Sequence, residues 1–73
     1  MHMRPSYQEG LAALKQFVQR EGHARVPHGH TEGDFNLGNW VANRRKDYRE
    51  GKLASERIKE LEALPGWTWN ARA

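Results

Sequence analysis

Residues 37–45, with the sequence LGNWVANRR, place a tryptophan and two arginines on one predicted helix. Asn36 stands directly before this stretch and is a favourable N-cap residue. Gly51 is placed to end the helix, because glycine readily adopts the left-handed conformation found just after a helix. The apolar stripe of this helix, interrupted by one charge, comprises Leu37, Trp40, Val41, Arg44 and Tyr48.

A first helix is predicted before this stretch. Ser6 and Glu9 have the spacing of a capping box, in which each side chain accepts a hydrogen bond from the other residue's backbone N–H. Gly22 is predicted to end the helix. Apolar residues recur at intervals of four, three and four, which is typical of an amphipathic helix. They are Tyr7, Leu11, Leu14 and Val18, with Phe17 beside them.

A third helix is predicted to begin near Ala54–Ser55, with the Ser55 hydroxyl as its cap. Its apolar residues are Ile58, Leu61 and Leu64, and Pro65–Gly66 is expected to stop it. Trp67 and Trp69 follow at a spacing of two, so in an extended segment they point the same way. We expect this tail to fold back and close the core.

The segments between the first two helices lack helical periodicity. Pro27 favours an extended backbone at the residue before it, and residues 28–36 are predicted to be a loop that Phe35 anchors to the core. The expected fold is all-α, a small three-helix bundle closed by an extended tail that carries tryptophans. Residues 4–73 are assigned to one domain, and Met1–Met3 is interpreted as an expression tag.

The composition limits what can stabilise such a domain. The chain has 73 residues and no cysteine, so its stability depends on packing rather than on disulfides or a cysteine-based zinc site. We interpret Trp40, Trp67 and Trp69 as core residues, because a small domain needs large buried side chains. The alternative is that they stack on nucleobases. No apolar run is long enough to span a bilayer, and we expect an intracellular, cytoplasmic protein that is monomeric as an isolated domain.

Catalytic and metal-binding signatures are weak. The sequence has no glycine-rich phosphate loop, no cysteine nucleophile and no recognisable carboxylate pair, so no catalytic residue is assigned and the isolated domain is not expected to be an enzyme. His28 and His30 could ligate a metal together with Glu32 or Asp34, but no second ligand cluster is apparent. We therefore expect no cofactor and no metal, with His23 packed against the end of the first helix and the loop histidines exposed.

The residues that point to a function are cations. Arginine and lysine bind phosphate and displace condensed counterions from nucleic acids. Arg45, Arg49 and Lys52 follow helical spacing and are predicted to form a basic ridge. The competing interpretation is that these cations are solvated and stabilise the helix through their interaction with its dipole. Arg44 could instead lay the aliphatic part of its side chain over the core. The candidate nucleic-acid-binding residues are Arg25, Arg44, Arg45, Lys46, Arg49 and Lys52.

From Tyr7 to Trp69 the chain resembles the helicase-associated domain, a small all-helical module. The order and spacing of the landmarks carry the resemblance more than any one of them. They are Leu14, Phe17, Gly22-His23, Val26-Pro27, Asp34-Phe35, Leu37-Gly38, Trp40-Val41, Arg45, Gly51-Lys52-Leu53, Glu56-Arg57, Leu61, Gly66 and Trp69.

The chain departs from the family pattern at four places. Tyr7 replaces the usual opening tryptophan, and Arg44 replaces a glutamine. Residues 53–55 read Leu-Ala-Ser where Leu-Ser-Pro is frequent, and Trp67 stands where phenylalanine is common. These changes leave the expected fold intact, and the change at Arg44 adds charge to the basic segment.

The resemblance implies a setting in bacterial proteins. Such domains occur beside superfamily 2 helicase motors, often in tandem, and their role is inferred to be nucleic-acid binding. We therefore expect an accessory module that contacts the backbone of DNA or RNA with little base specificity, in a parent protein that is an ATP-dependent helicase. The alternative is a protein-interaction or spacer module that docks on the motor domain or on neighbouring copies, through an exposed apolar patch.

Overall fold

The computed structural model describes residues 7–69. Within that range the chain forms three helices, α1 (Tyr7–Glu21), α2 (Leu37–Arg49) and α3 (Ser55–Glu62). The predicted all-α bundle is confirmed. The capping box predicted at Ser6 lies outside the described residues.

The buried face of α1 is the one that the spacing of its apolar residues predicts, except at one position. Phe17 is buried, whereas Val18, which was predicted to lie on the apolar stripe, is only half-buried. Gly10 is buried as well, between the predicted apolar positions. Gly22 ends the helix as predicted, with φ 81° and its N–H donating to the Val18 carbonyl at 2.7 Å.

Helix α2 begins at the predicted cap. The Asn36 side chain accepts a hydrogen bond from the backbone N–H of Asn39 at 3.0 Å. The helix ends at Arg49, and Gly51 follows with φ 71°, which only glycine adopts without strain. Lys52 therefore lies beyond the helix.

The first turn of α2 lies against the loop that precedes it, and Gly38 makes this approach possible. Its N–H donates to the carbonyl of His30 at 2.9 Å, and the N–H of His30 donates to Pro27 at 3.0 Å. A methyl group at Gly38 would lie 2.7 Å from the backbone N of Gly29 and 2.9 Å from the carbonyl oxygen of Pro27. Only a residue without a side chain fits between α2 and this turn.

Helix α3 is shorter than predicted. It stops at Glu62, so Leu64 lies in the following turn, where it still packs against the core. Its N-cap is Ala54, which has no side chain able to accept a hydrogen bond, so the assignment of Ser55 as the cap was wrong. Ser55 is instead the first helical residue.

Tyr7 connects the start of α1 to α3. Its hydroxyl donates to the Glu60 carboxylate at 3.2 Å, and the Arg57 guanidinium lies 4.2 Å from its ring centre. Burial, with the nearby charge of Glu60, raises the pKa of Tyr7 to about 12, so the hydroxyl keeps its proton at neutral pH. Tyr7 is thus a core residue that also connects α1 to α3.

Trp40 is the largest side chain in the core, with 6% of its surface exposed. Its indole lies directly on Gly10 of α1, where a methyl group would lie 2.1 Å from Cε2 and Nε1. The Tyr7 ring packs beside it at a centroid distance of 5.5 Å. The buried residues that complete the core are Leu11, Leu14, Phe17, Ala24, Val26, Leu37, Val41 and Leu61.

The close approach at Gly38 leads to a stability prediction. Replacement of Gly38 by alanine should lower the free energy of unfolding by about 1–3 kcal/mol, because backbone atoms of the turn must move. Alanine favours a helix over glycine by about 1 kcal/mol, so helix propensity alone predicts the opposite sign. Urea denaturation followed by tryptophan fluorescence measures the change.

Asn39→Ala is the control for Gly38→Ala, because it is one residue further along the same helix and its side chain is exposed. It should change stability by less than about 0.5 kcal/mol. A Gly38→Ala variant at least as stable as the parent would contradict the tight contact.

Candidate nucleic-acid interface

The solvent face of α2 carries two of the candidate cations. Lys46 and Arg49 are three residues apart, so they are neighbours on the helix surface. Lys46 and Arg49 are both exposed. Both lie in the last turn, where cations also favour the helix dipole. They are the part of the basic segment of α2 that is not tied to the core or the tail.

Arg45 is turned inward, toward the C-terminal tail. It is half-buried, and its Nε donates to the carbonyl oxygen of Thr68 at 3.0 Å. Its guanidinium lies 5.6 Å from the ring centre of Trp67, in reach of a cation–π contact. Burial lowers the pKa of Arg45, but a guanidinium remains charged at neutral pH. This side chain thus holds the tail against α2.

The tail that Arg45 binds is an aromatic cluster. Trp69 stacks on Tyr48 of α2, with ring centres 4.1 Å apart and an angle of 10° between the ring planes. Trp67 contacts Trp69 edge-on, with ring centres 5.1 Å apart. The indole N–H of Trp69 donates to Glu62 of α3 at 2.9 Å. The tail therefore folds back as predicted, and both tryptophans are half-buried at the bundle surface.

Arg44 lies over the core. Its side chain is 20% exposed, its guanidinium is 5.4 Å from the Trp40 ring centre, and Nη2 pairs with Asp47 at 3.0 Å. The interpretation in which its stem covers the core fits this position. The charge is largely committed to contacts within the domain.

The two remaining candidates lie outside α2. Lys52 is exposed in the turn after the helix and forms a surface ion pair with Glu50 at 3.2 Å. Arg25 is exposed in the segment after α1, next to Ala24, whose N–H donates to Pro65 at 2.7 Å. Neither residue lies on a helix, so the helical spacing that predicted a ridge of Arg45, Arg49 and Lys52 does not reach Lys52. On α2 itself the ridge consists of Arg45, which is half-buried, and Arg49, which is exposed.

Two polar residues on α2 are not among the candidates predicted from the sequence. Asn39 and Asn43 are exposed and lie one turn apart, and Lys46 continues their row after three more residues. They border a groove of about 630 Å³ that runs along α2. The described residues that line it include Phe35, Trp40, Arg44 and Asp47. The spacing of four residues between the asparagines, which places both on the polar face of α2, could have identified them as candidate site residues from the sequence.

One loop histidine, His30, belongs to an ionic cluster with Arg20 and Glu32. Arg20 donates to both Glu32 oxygens, at 2.6 and 3.0 Å, and His30 Nε2 lies 3.0 Å from the same carboxylate. The hydrogen bonds from Arg20 lower the pKa of Glu32 to about 2. His30 is half-buried against the edge of Phe17, so the expectation that it is exposed was wrong, whereas His28 is exposed.

His23 packs edge-on against Phe17 at 5.7 Å, as predicted. Residues 7–69 contain no group of three or more histidine, aspartate or glutamate side chains arranged to hold a metal ion. In the same range, no helix has the length and the apolar run that crossing a bilayer requires.

The fold defines a small all-helical module in which Trp40 packs in the core and helix α2 exposes Lys46 and Arg49. A family model described as Helicase associated domain matches residues 4–70. The chain belongs to the helicase-associated domain family. Searches of curated proteins and of solved structures find no match.

The position of Arg45 predicts a structural effect that its exposed neighbour Arg49 does not share. Arg45→Gln should lower the free energy of unfolding by about 1–2 kcal/mol, because a charge-assisted hydrogen bond and a cation–π contact are lost. Arg49→Gln removes the same charge from the exposed face and should change stability by less than about 0.5 kcal/mol. Equal stability of the two variants in urea denaturation would disprove the tail contact.

Proposed function

We propose that this domain is an accessory nucleic-acid-binding module of a helicase-like protein. It contacts the phosphate backbone through the cations of α2 and of the turn that follows. Membership of the helicase-associated domain family supports the setting beside a motor. In this proposal the motor supplies the ATP-dependent chemistry, the domain itself is not catalytic, and the parent protein acts in the bacterial cytoplasm.

The observation that carries the proposal is where the positive charge lies. Residues 44–52 contain five cations and two carboxylates, a formal excess of three, which equals the net charge of the whole chain. The other seven cations and seven carboxylates cancel. The modest total charge is thus concentrated at the C-terminal end of α2 and in the turn that follows it, which favours an anionic partner there.

The cations of this segment differ in how freely they can reach a phosphate. The primary contacts are Lys46, which borders the groove, and Arg49, and both are exposed. Lys52 can join them, because a surface ion pair such as that with Glu50 is worth only about 0–1 kcal/mol. Arg44 and Arg45 add to the local potential while they hold the core and tail, and Arg25 is a secondary contact on a separate segment.

The alternative function is a protein-interaction or spacer module that docks on the motor or on tandem copies. It requires an exposed apolar patch. Among residues 7–69 the one exposed large hydrophobic side chain is Tyr48, at 38%, and it already stacks on Trp69. The charge distribution therefore favours nucleic acid. Tandem copies would strengthen such binding through effective concentration without new contacts.

Charge reversal at the primary contacts tests the proposal. Lys46→Glu/Arg49→Glu should weaken binding of fluorescein-labelled DNA and RNA at least tenfold in fluorescence anisotropy at low salt. The slope of log affinity against log salt should fall in magnitude by about 2, since each phosphate contact contributes about 0.9.

The matched control is Lys15→Glu/Lys59→Glu, which makes the same change in net charge at exposed positions of α1 and α3. It should weaken binding less and should leave the salt slope within about 0.5 of the parent's. Absence of binding by the parent at low salt, or equal losses in the two double variants, would refute the proposal.

A further inference from the structure

The outer face of α2 carries more than positive charge. Asn39, Asn43 and Lys46 lie in one row at spacings of four and three, with both asparagines exposed. Ala42 and Arg49 lie beside the row and are exposed as well. The face thus combines two amides, one small apolar residue and two cations.

Side-chain amides have a specific partner in duplex DNA. Asparagine pairs with the major-groove edge of adenine, where its amide nitrogen donates to N7 and its amide oxygen accepts from the N6 amino group. A small apolar side chain such as Ala42 can contact the methyl group of thymine. Cations that touch only phosphates supply affinity without sequence information. The outer face of α2 has both kinds of group.

We propose that α2 is a recognition helix that enters the major groove of duplex DNA and reads adenine through Asn39 and Asn43. This inference rests on the proposed function and deepens it, because it names the form of nucleic acid and adds base reading. Lys46 and Arg49 contact the flanking phosphates.

The dimensions of the helix fit this role. A helix with side chains is about 10–12 Å across, and the major groove of B-DNA is about 12 Å wide. Four helical residues rise about 6 Å, so Asn39 and Asn43 can reach bases about two steps apart at about 3.4 Å per step. The 13 residues of α2 give a helix of about 20 Å.

Negative charge on this side of the helix is offset within the domain. Asp47 pairs with Arg44 at 3.0 Å, and Glu50 pairs with Lys52 at 3.2 Å. Asn36 has a different task, since its side-chain oxygen caps the helix. Asn36 is therefore not among the residues proposed to contact bases, which are Asn39 and Asn43.

The other forms of nucleic acid fit the face less well. The major groove of duplex RNA is too deep and narrow for side chains to read. Single-strand binders stack bases on exposed aromatic rings. Within residues 7–69 the tryptophans are buried or half-buried, and the exposed ring of Tyr48 stacks on Trp69. Duplex DNA is the partner that remains.

Selection from a randomised pool of DNA duplexes tests the inference, because such a pool contains all short target sequences. The parent domain should enrich sequences with adenine at two positions two steps apart, and anisotropy should show at least fivefold tighter binding to the enriched duplex than to a G·C-only duplex. Asn39→Ala/Asn43→Ala should lose that preference while its affinity for the unselected pool stays within about twofold. Duplex RNA and single-stranded DNA of the same sequence should bind more weakly.

Gln16→Ala/Gln19→Ala is the matched control, because it removes two exposed amides from α1 and should retain the preference. Alanine is a good helix former, so circular dichroism should show both variants folded.

Three results would overturn the inference. They are selection of no sequence by a parent that binds DNA, an unchanged preference in Asn39→Ala/Asn43→Ala, or tighter binding of RNA or of single strands. Each of these leaves backbone binding by Lys46 and Arg49 in place. Absence of any binding by the parent would instead refute the proposed function, and this inference with it.

Discussion

The seating of the Trp40 indole on Gly10 is the contact on which the rest of the domain depends. It brings α2 against α1 at a distance that no side chain at Gly10 would allow. The indole Nε1 is buried there without a hydrogen-bond acceptor among the described residues. With α2 fixed on one side by this contact and on another by the turn against Gly38, its polar face is presented to solvent.

That arrangement divides the basic segment between two tasks. Arg44 covers Trp40 and Arg45 holds the aromatic tail, whereas Lys46 and Arg49 are left for the outer face. Neighbouring cations in the sequence therefore differ in chemistry, because successive helical residues point about 100° apart. The same helix can stabilise the core and offer a charged surface, and our functional proposals assign the primary contacts to the outward set.

Helical periodicity and capping rules predicted the three helices and most of the core, except that α3 ends earlier, at Glu62, and has Ala54 as its N-cap without a side-chain hydrogen bond. They placed the Asn36 cap and the helix-ending glycines correctly. The roles of Gly10 and Gly38 were not predictable in this way, because each depends on which side chain or turn approaches from elsewhere in the chain. Arg45 is a similar case: spacing places it on a ridge, and only the folded tail shows that its hydrogen bond goes to Thr68.

A double-mutant cycle between Gly10 and Trp40 tests the central contact most directly, with unfolding measured in urea and a stabilising osmolyte present to keep the weaker variants folded. In the parent, Gly10→Ala should destabilise the domain by about 1–3 kcal/mol, because a methyl group collides with the indole. In a Trp40→Leu background the collision is absent, and the same change should be neutral or stabilising by up to about 1 kcal/mol through helix propensity. An equal cost of Gly10→Ala in both backgrounds would contradict the account.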